Sequence, residues 1–232
     1  MERIQKYIAS CGVMSRRAAE KEIAAGNVTV NGNKAETGMS VSEKDDIRIN
    51  GVPVKQEKQK ITVALYKPSG YVTTMKDELG RKTVTQLIDL PYRLYPAGRL
   101  DKDSEGLLIM TNDGELANSL THPKNGKKKI YHVFLRENVQ NNTLDQLRAM
   151  RELDGEKINP VGIDVIKRSP TGSCVRFMLS EGKNRQIRRM CEAAGVTVTQ
   201  LRRVQIGSLT LGNLKPGEYR RLTKQEIGDL LK

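Results

Sequence analysis

The chain has 232 residues, 37% of them hydrophobic, which suits one domain of ordinary size and a smaller one. Lys and Arg outnumber Asp and Glu by 40 to 27, and the net charge of +13 favours a polyanionic partner: nucleic acid first, an anionic membrane second. No apolar run approaches the ~20 residues that cross a bilayer, and the N-terminus has charges where a signal peptide needs an apolar stretch. The three cysteines show no CxxC spacing. We therefore expect a cytoplasmic protein with reduced thiols and no membrane association.

The first sixty residues predict two short helices followed by hairpins. The segment RIQKYIAS places Ile4, Tyr7 and Ile8 on one helical face, and Gly12 ends it. Ser15 is placed to cap a second helix, RRAAEKEIAAG. The segments VTVNGNKA and IRINGVPV each carry Asn-Gly between β-prone residues, which predicts tight hairpin turns. Such a unit has little core and is suited to presenting a surface.

The second predicted helix presents basic side chains. Arg16 and Arg17 open it and Lys21 lies on the next turn, where these groups could neutralise phosphates or simply face solvent. The stretch SRRAAEKEIAAGNVTVNG resembles the S-four RNA-binding domain, named after a ribosomal protein. The resemblance implies an RNA-binding domain over residues 1–58.

A polar stretch, residues 54–60, reads as a linker, and a different pattern follows it. Helices and strands are intermixed there without βαβ regularity, which predicts an α+β domain over residues 61–232 with a mixed, largely antiparallel sheet and flanking helices. The predicted strands are ITVALYK, GLLIMTN, KIYHVFL and SCVRFMLS. The predicted helices are TVTQLI, DGELANSL, TLDQLRAM, KNRQIRRMCEAAG and a last one opened by a capping box of Thr223 and Glu226.

Within this basic chain, GRLDKDSEGLL places Asp101, Asp103 and Glu105 at alternate positions. A calcium loop would need a bidentate carboxylate at its twelfth position, which is Asn112, so calcium is disfavoured. Asp101 and Asp103 also form a DxD tripeptide, but no second acidic pair supports a metal there. We expect no metal at this loop.

The remaining interpretation of the loop is one carboxylate held rigidly before a buried strand. Downstream, GKNRQIRRM supplies Lys183 and, on a predicted helix, Arg185 and Arg188. A guanidinium close to Asp101 would keep that carboxylate ionised. Composition alone cannot select Asp101 over Asp103 or Glu105.

The stretch GRLDKDSEGLLIMTNDGELANSL is similar to the central motif of the pseudouridine synthases that modify bacterial ribosomal RNA. The stretches LYKPSGYV, KKKIYHVFL, EGKNRQIRRM and QLRRVQIGSLTLGNLKPGEYRRLT agree in order and spacing. This resemblance implies that Asp101 is the catalytic acid, Tyr131 the aromatic residue of the site and Arg188 its basic residue, with Arg185 as the alternative. Ile130 departs from the Thr or Ser found in many members but leaves Tyr131 in register.

The implied reaction converts uridine to pseudouridine, which changes neither redox state nor atom count and needs no cofactor. A base in a stack is out of reach, so the target nucleotide must be flipped out, with Tyr131 stacking on it and Arg99 holding its backbone. Asp101 would attack the sugar or abstract a ribose proton, and Arg188 would pair with Asp101. Lys183 and Arg185 are candidate RNA contacts.

Other polar residues near these motifs are given structural roles. Lys67 and Pro68 are expected to shape the pocket wall. Asp103 and Glu105 are expected to shape the turn or to meet a cation. His122 and His132 lack a partner spaced for acid–base or metal chemistry.

The implied partner is ribosomal RNA or a ribosomal subunit precursor, bound by a monomer. A large-subunit hairpin is favoured over small-subunit RNA. The alternative from another functional class is a non-catalytic RNA-binding factor in ribosome assembly, which would not need the carboxylate of Asp101.

Overall fold

The structure is a computed structural model that describes residues 1–55, 59–122 and 125–232. The chain forms two compact units. The first consists of Met1–Ile61, Leu90–Leu94 and Thr111–Gly114, and the second of Thr62–Asp89, Tyr95–Met110 and Glu115–Lys232. Residues 56–58 of the expected linker lie outside the described residues. The boundaries 1–58 and 61–232 stay predictions.

The first unit opens with two helices, α1 over Ile4–Ser10 and α2 over Arg16–Ala24, as predicted. The Ser15 side chain accepts a hydrogen bond from the Ala18 amide at 3.1 Å, which confirms the expected N-cap. The short strands of this unit are β1 Glu2–Arg3, β2 Val28–Val30, β3 Asn33–Lys34, β4 Ser40–Val41, β5 Ile47–Ile49 and β6 Val52–Pro53. Its core is small and centres on Ile4, Ile8 and Ile47.

Both Asn-Gly pairs form the predicted hairpin turns. Asn31 and Gly32 have φ angles of 52° and 84°, and Asn50 and Gly51 have φ angles of 51° and 78°. Two consecutive positive φ angles are the requirement of a type I′ turn, which Asn and Gly tolerate best. The turns join β2 to β3 and β5 to β6, and both pairs are antiparallel.

The second unit is built around a nine-stranded sheet with helices α3 to α6. Its helices are α3 Gly114–Thr121, α4 Asn141–Ala149, α5 Gln186–Ala193 and α6 Lys224–Leu231, and Val84–Leu87 is a 3₁₀ turn. Its strands are β7 Thr62–Lys67, β8 Tyr95–Ala97, β9 Glu105–Thr111, β10 Lys129–Leu135, β11 Glu152–Leu153, β12 Glu156–Lys157, β13 Gly162–Ser169, β14 Gly172–Leu179, β15 Val198–Ile206, β16 Leu209–Thr210 and β17 Tyr219–Arg221.

The main sheet has the order β13-β14-β10-β15-β9-β7-β17, with β16 beside β15 and β8 beside β9. The pairs β13–β14, β14–β10 and β10–β15 are antiparallel, whereas β15 and β9 run parallel. The α+β class with a mixed, largely antiparallel sheet is therefore confirmed. Helix α6 begins at the predicted capping box of Thr223 and Glu226. Helix α5 begins at Gln186, later than the predicted start at Lys183.

Several elements differ from the sequence prediction. The segment TVTQLI is a 3₁₀ turn rather than an α-helix. Arg185 precedes α5 with φ 48°, so Arg185 and Arg188 do not lie on one helix as expected. The long strands β13 and β15 were not predicted, and β15 occupies the centre of the sheet.

No helix in the described ranges is both long and apolar enough to cross a membrane.

The parallel contact between β9 and β15 requires a glycine. Gly106 pairs with Arg203, has φ +104°, and a Cβ built there would lie 2.2 Å from the Arg203 carbonyl oxygen. Because the atoms that this Cβ would meet belong to the backbone of Arg203, no side-chain movement can relieve the clash. Gly106 thus allows the strand after the acidic loop to join the sheet.

We expect Gly106→Ala to lower the free energy of unfolding by at least about 3 kcal/mol, through the clash and the positive φ. Urea denaturation of the purified protein measures this change. Gly228→Ala is the matched control, since a Cβ at this position in α6 meets nothing within 4 Å and alanine favours a helix by roughly 0.5–1 kcal/mol. Equal midpoints for Gly106→Ala and the parent protein would contradict the packing argument.

Candidate active site

A cleft of about 540 Å³ opens in the second unit beside the acidic loop. The loop after β8, the strands β10 and β15, and the turn before α5 supply its walls. Its basic lining residues are Arg99, Lys127, Lys129, Lys183, Arg185 and Arg203, and its acidic ones are Asp101 and Glu181. The cleft is therefore suited to a polyanion that must meet a carboxylate.

Asp101 lines this cleft and is half-buried. Its backbone carbonyl accepts from the Ser104 amide at 3.1 Å, which closes a tight turn. Thr73 fixes the preceding residue, since its hydroxyl donates to the Leu100 carbonyl at 2.7 Å and accepts from the Leu100 amide at 3.2 Å. No described residue forms a hydrogen bond or an ion pair with the Asp101 carboxylate. The carboxylate is held by its backbone and left open to the cleft.

Lys67 lies beneath the loop with a side chain that is 0% exposed. Its ammonium donates to the carbonyls of Pro68 at 2.9 Å, Lys102 at 3.4 Å and Ser104 at 2.5 Å. Burial lowers the pKa of Lys67 to about 8, although the charge of Asp101 opposes that shift. Lys67 was expected only to shape the wall; the structure gives it the further task of fixing the loop that carries Asp101.

Arg188 was expected to pair with Asp101, but in this structure it contacts Asp103 instead. Arg188 Nε lies 3.3 Å from an oxygen of Asp103, and its Nη2 donates to the Asp103 carbonyl at 2.9 Å. Arg185 also pairs with Asp103, at 3.1 Å. The reason is the turn at residues 101–104, which directs the Asp103 backbone and side chain toward α5. Partial burial acts to raise the pKa of Asp103, but the hydrogen bond from Arg185 and the charges of Arg188 and Arg185 lower it overall.

Glu105 meets a different set of partners. It accepts from the Tyr66 hydroxyl at 2.6 Å, from Gln200 at 3.0 Å and from Arg202 at 2.6 Å. Burial tends to raise the pKa of Glu105, but these hydrogen bonds and the charge of Arg202 lower it. The expectation that Asp103 and Glu105 meet cations is therefore confirmed, and the three carboxylates of the loop have separate surroundings.

Tyr131 lies in the cleft wall on β10, 9% exposed. Its cross-strand neighbour on β15 is Arg203, which also lines the cleft. Arg203 was not singled out from the sequence. The signal available was the pair Arg202-Arg203 within QLRRVQIG, because alternation along a strand sends one of two adjacent residues to each face. Arg202 bonds to Glu105, whereas Arg203 enters the cleft.

The expected RNA contacts divide between the two units. Arg99, Lys183 and Arg185 line the cleft, although Lys183 also donates to the Lys157 carbonyl at 2.5 Å. In the first unit, Arg16, Arg17 and Lys21 on α2 are exposed. Within the described part of the chain, these three residues have no ion-pair partner. Each unit therefore presents cations that are available to a polyanion.

The two histidines lie in different surroundings. His122 lies at the cleft, whereas His132 is half-buried on β10. Burial, together with the charges of Arg176 and Arg202, lowers the pKa of His132.

Comparison with known proteins agrees with this architecture. The family model for RNA pseudouridylate synthase matches residues 61–193, and the S4 domain model matches residues 2–47. The chain belongs to the RNA pseudouridylate synthase family and carries an S4 domain. It is an RNA pseudouridine synthase by class.

Individual relatives match along almost the whole chain. The ribosomal large subunit pseudouridine synthase B of Bacillus subtilis is 41% identical over 98% of this chain and 94% of its own length. An uncharacterized RNA pseudouridine synthase of Aquifex aeolicus is 38% identical over 99% of this chain and 94% of its own length. A solved pseudouridylate synthase structure aligns with a TM-score of 0.72 and 31% identity, covering 99% of this chain and all of that one.

The buried ammonium of Lys67 predicts a pH dependence. Because burial lowers its pKa to about 8, Lys67 is charged below that pH and loses its charge and one N–H donor as the pH rises through 8. We expect the single-turnover rate of pseudouridine formation to fall as pH rises from 7.5 to about 9. Lys67→Arg, whose guanidinium stays charged, is expected to lack this fall. A wild-type rate that stays level to pH 9 would rule out a charged Lys67 as a requirement.

Proposed function

We propose that this protein converts a uridine of ribosomal RNA to pseudouridine, in a hairpin of the large-subunit RNA. The observation that carries the proposal is the open carboxylate of Asp101, fixed by its backbone in a basic cleft beside Tyr131. The large-subunit assignment rests on the Bacillus subtilis relative, whose name states that subunit and which is 41% identical.

The substrate uridine must leave its stack to reach the cleft. Flipping a base out costs a few kcal/mol, which phosphate contacts from the basic lining can offset. We assign the backbone contacts to Arg99, Lys183 and Arg185, which line the cleft. To Tyr131, which lines the cleft, we assign stacking on the flipped base, a contact worth ~1–3 kcal/mol.

The reaction moves one bond. The C1′–N1 bond breaks with its electron pair remaining on uracil, the base turns, and C5 bonds to C1′. The C5 proton leaves and N1 gains a proton, so the product is an isomer. Asp101 either attacks the sugar or removes a ribose proton to start this sequence, and both roles need an ionised carboxylate within contact of the ribose.

We assign to Arg188 a supporting charge beside Asp101. Asp103, two residues after Asp101, forms ion pairs with Arg188 and Arg185. Arg188 acts through its charge from its place on Asp103, without a direct contact with Asp101.

The first unit contributes RNA affinity in this proposal. Residues 1–58 form the RNA-binding domain, and Arg16, Arg17 and Lys21 contact phosphates. Residues 61–232 form the catalytic domain. The protein acts as a monomer in the cytoplasm on ribosomal RNA or on a subunit precursor.

We expect Asp101→Asn to remain folded and to bind RNA but to form no pseudouridine, because the amide is neither a nucleophile nor a base. Tritium release from a [5-³H]uridine-labelled large-subunit rRNA transcript measures turnover. Asp103→Asn is the matched control at the neighbouring carboxylate, and we expect its rate to fall less than about tenfold.

Turnover by Asp101→Asn at the wild-type rate would refute the role of Asp101. Mapping of pseudouridines in rRNA from cells with and without the gene identifies the target. A lost pseudouridine in small-subunit RNA alone would replace the large-subunit assignment.

The salt dependence of RNA binding tests the first unit. We expect Arg16→Gln/Arg17→Gln to reduce the slope of log K against log salt by about 1.4, at roughly 0.7 per phosphate contacted on single-stranded RNA. Filter binding of the rRNA transcript at several salt concentrations gives the slope. Lys6→Gln serves as the control, because Lys6 on α1 already pairs with Glu2 at 3.2 Å. An unchanged slope in the double variant would show that these two arginines do not touch RNA.

A further inference from the structure

Arg203 is a buried cation in the cleft that the proposed reaction has not yet used. Its side chain is 3% exposed, and it lines the cleft together with Asp101 and Tyr131. No carboxylate among the described residues lies within ion-pair distance of it. An uncompensated charge in such a place costs free energy in the empty protein, which a negative ligand atom would recover.

The hydrogen bonds of Arg203 leave one amino group open. Its Nε donates to the Leu107 carbonyl at 2.8 Å and its Nη1 to the Arg99 carbonyl at 3.3 Å. Its Nη2 is buried and has no hydrogen-bond partner in the described structure. A buried donor without an acceptor is unusual and calls for a partner supplied from outside. The two anchored nitrogens fix the direction in which the third can act.

The position of Arg203 indicates which part of a nucleotide it meets. It is the cross-strand neighbour of Tyr131, and side chains at such positions lie roughly 5 Å apart at their Cβ atoms. A base stacked on Tyr131 therefore brings its edge to the guanidinium of Arg203. The phosphates, in contrast, have the exposed Arg99 and Arg185 at the cleft rim.

We infer that Arg203 is a catalytic residue that donates its Nη2 hydrogen to a carbonyl oxygen of the uracil ring as the C1′–N1 bond breaks. The inference rests on the proposed function and deepens it. The electron pair of the broken bond spreads onto the ring oxygens, and a fixed, desolvated cation stabilises that anion more than the neutral base. The anion then attacks C1′ through C5, and the charge at Arg203 is again uncompensated when the C5 proton leaves and N1 gains one.

Full-length Arg203→Met tests this role under single-turnover conditions with saturating enzyme and the labelled large-subunit transcript. We expect the rate to fall roughly 100-fold, as for loss of one donor to a developing anion, with the dissociation constant for RNA changed less than about threefold. Arg203→Lys keeps the positive charge but lacks the planar guanidinium with its several fixed donors, so its rate should lie between those of the wild type and Arg203→Met. Arg176→Met, an exposed arginine on β14 paired with Asp164, should match the wild type.

A second substrate distinguishes hydrogen bonding of Arg203 to the uracil from a structural role of Arg203 in holding the loop that carries Asp101. A transcript carrying 5-fluorouridine stabilises the uracil anion through its fluorine, so the defect of Arg203→Met should shrink at least about fivefold. Its consumption is followed by nuclease digestion and mass spectrometry. Equal defects on both transcripts, or weakened RNA binding with an unchanged rate at saturation, would overturn the inference.

The outcomes also separate this inference from the proposed function. Thermal melting reports whether each variant is folded. If Arg203→Met does not fold, the fluorouridine comparison is made with Arg203→Lys, which also loses the open amino group. Wild-type protein that releases no tritium from ribosomal RNA contradicts the proposed function itself, whereas the wild-type rate in both Arg203 variants contradicts only the role of Arg203.

Discussion

Two buried cations hold the loop that carries Asp101, and they do so through backbone carbonyls rather than through carboxylates. Lys67 reaches the carbonyls of Lys102 and Ser104, and Arg203 reaches that of Arg99. Burying these charges is costly unless they are well hydrogen-bonded. The two cations therefore fix the loop from beneath without bonding to the carboxylate of Asp101. Among the described residues, that carboxylate has no hydrogen-bond or ion-pair partner.

The three acidic side chains of the loop have different surroundings. Glu105 ties the start of β9 to Arg202 on β15, and Asp103 binds the two arginines around the start of α5. Of these three acids, Asp101 is the one that lines the cleft. A spacing of two along an extended strand would send these side chains to the same face, so the turn at residues 101–104 is what separates them. Of the three carboxylates, only that of Asp101 has no hydrogen-bond or ion-pair partner among the described residues.

The parallel contact of β9 with β15 joins distant parts of the chain. Gly106 permits the close approach to Arg203, and the antiparallel contact of β15 with β10 places Arg203 beside Tyr131. Residues about a hundred positions apart thus meet across three neighbouring strands. The composition of the cleft wall depends on this sheet order, because each strand contributes a different kind of group: a loop carboxylate, a cation and an aromatic ring.

The sequence by itself determined features that depend on local chemistry. The Asn-Gly turns, the Ser15 cap and the Thr223 capping box follow from the residues that form them, and the motif around Asp101 identifies the family. Only the tertiary structure decided which partners the charged residues take. Arg188 contacts Asp103, and Arg203 lines the cleft, because contacts between residues distant in the chain depend on strand order and burial. The pair Arg202-Arg203 indicates only that one arginine lies on each face of a strand, and the neighbouring strands decide which of them lines the cleft.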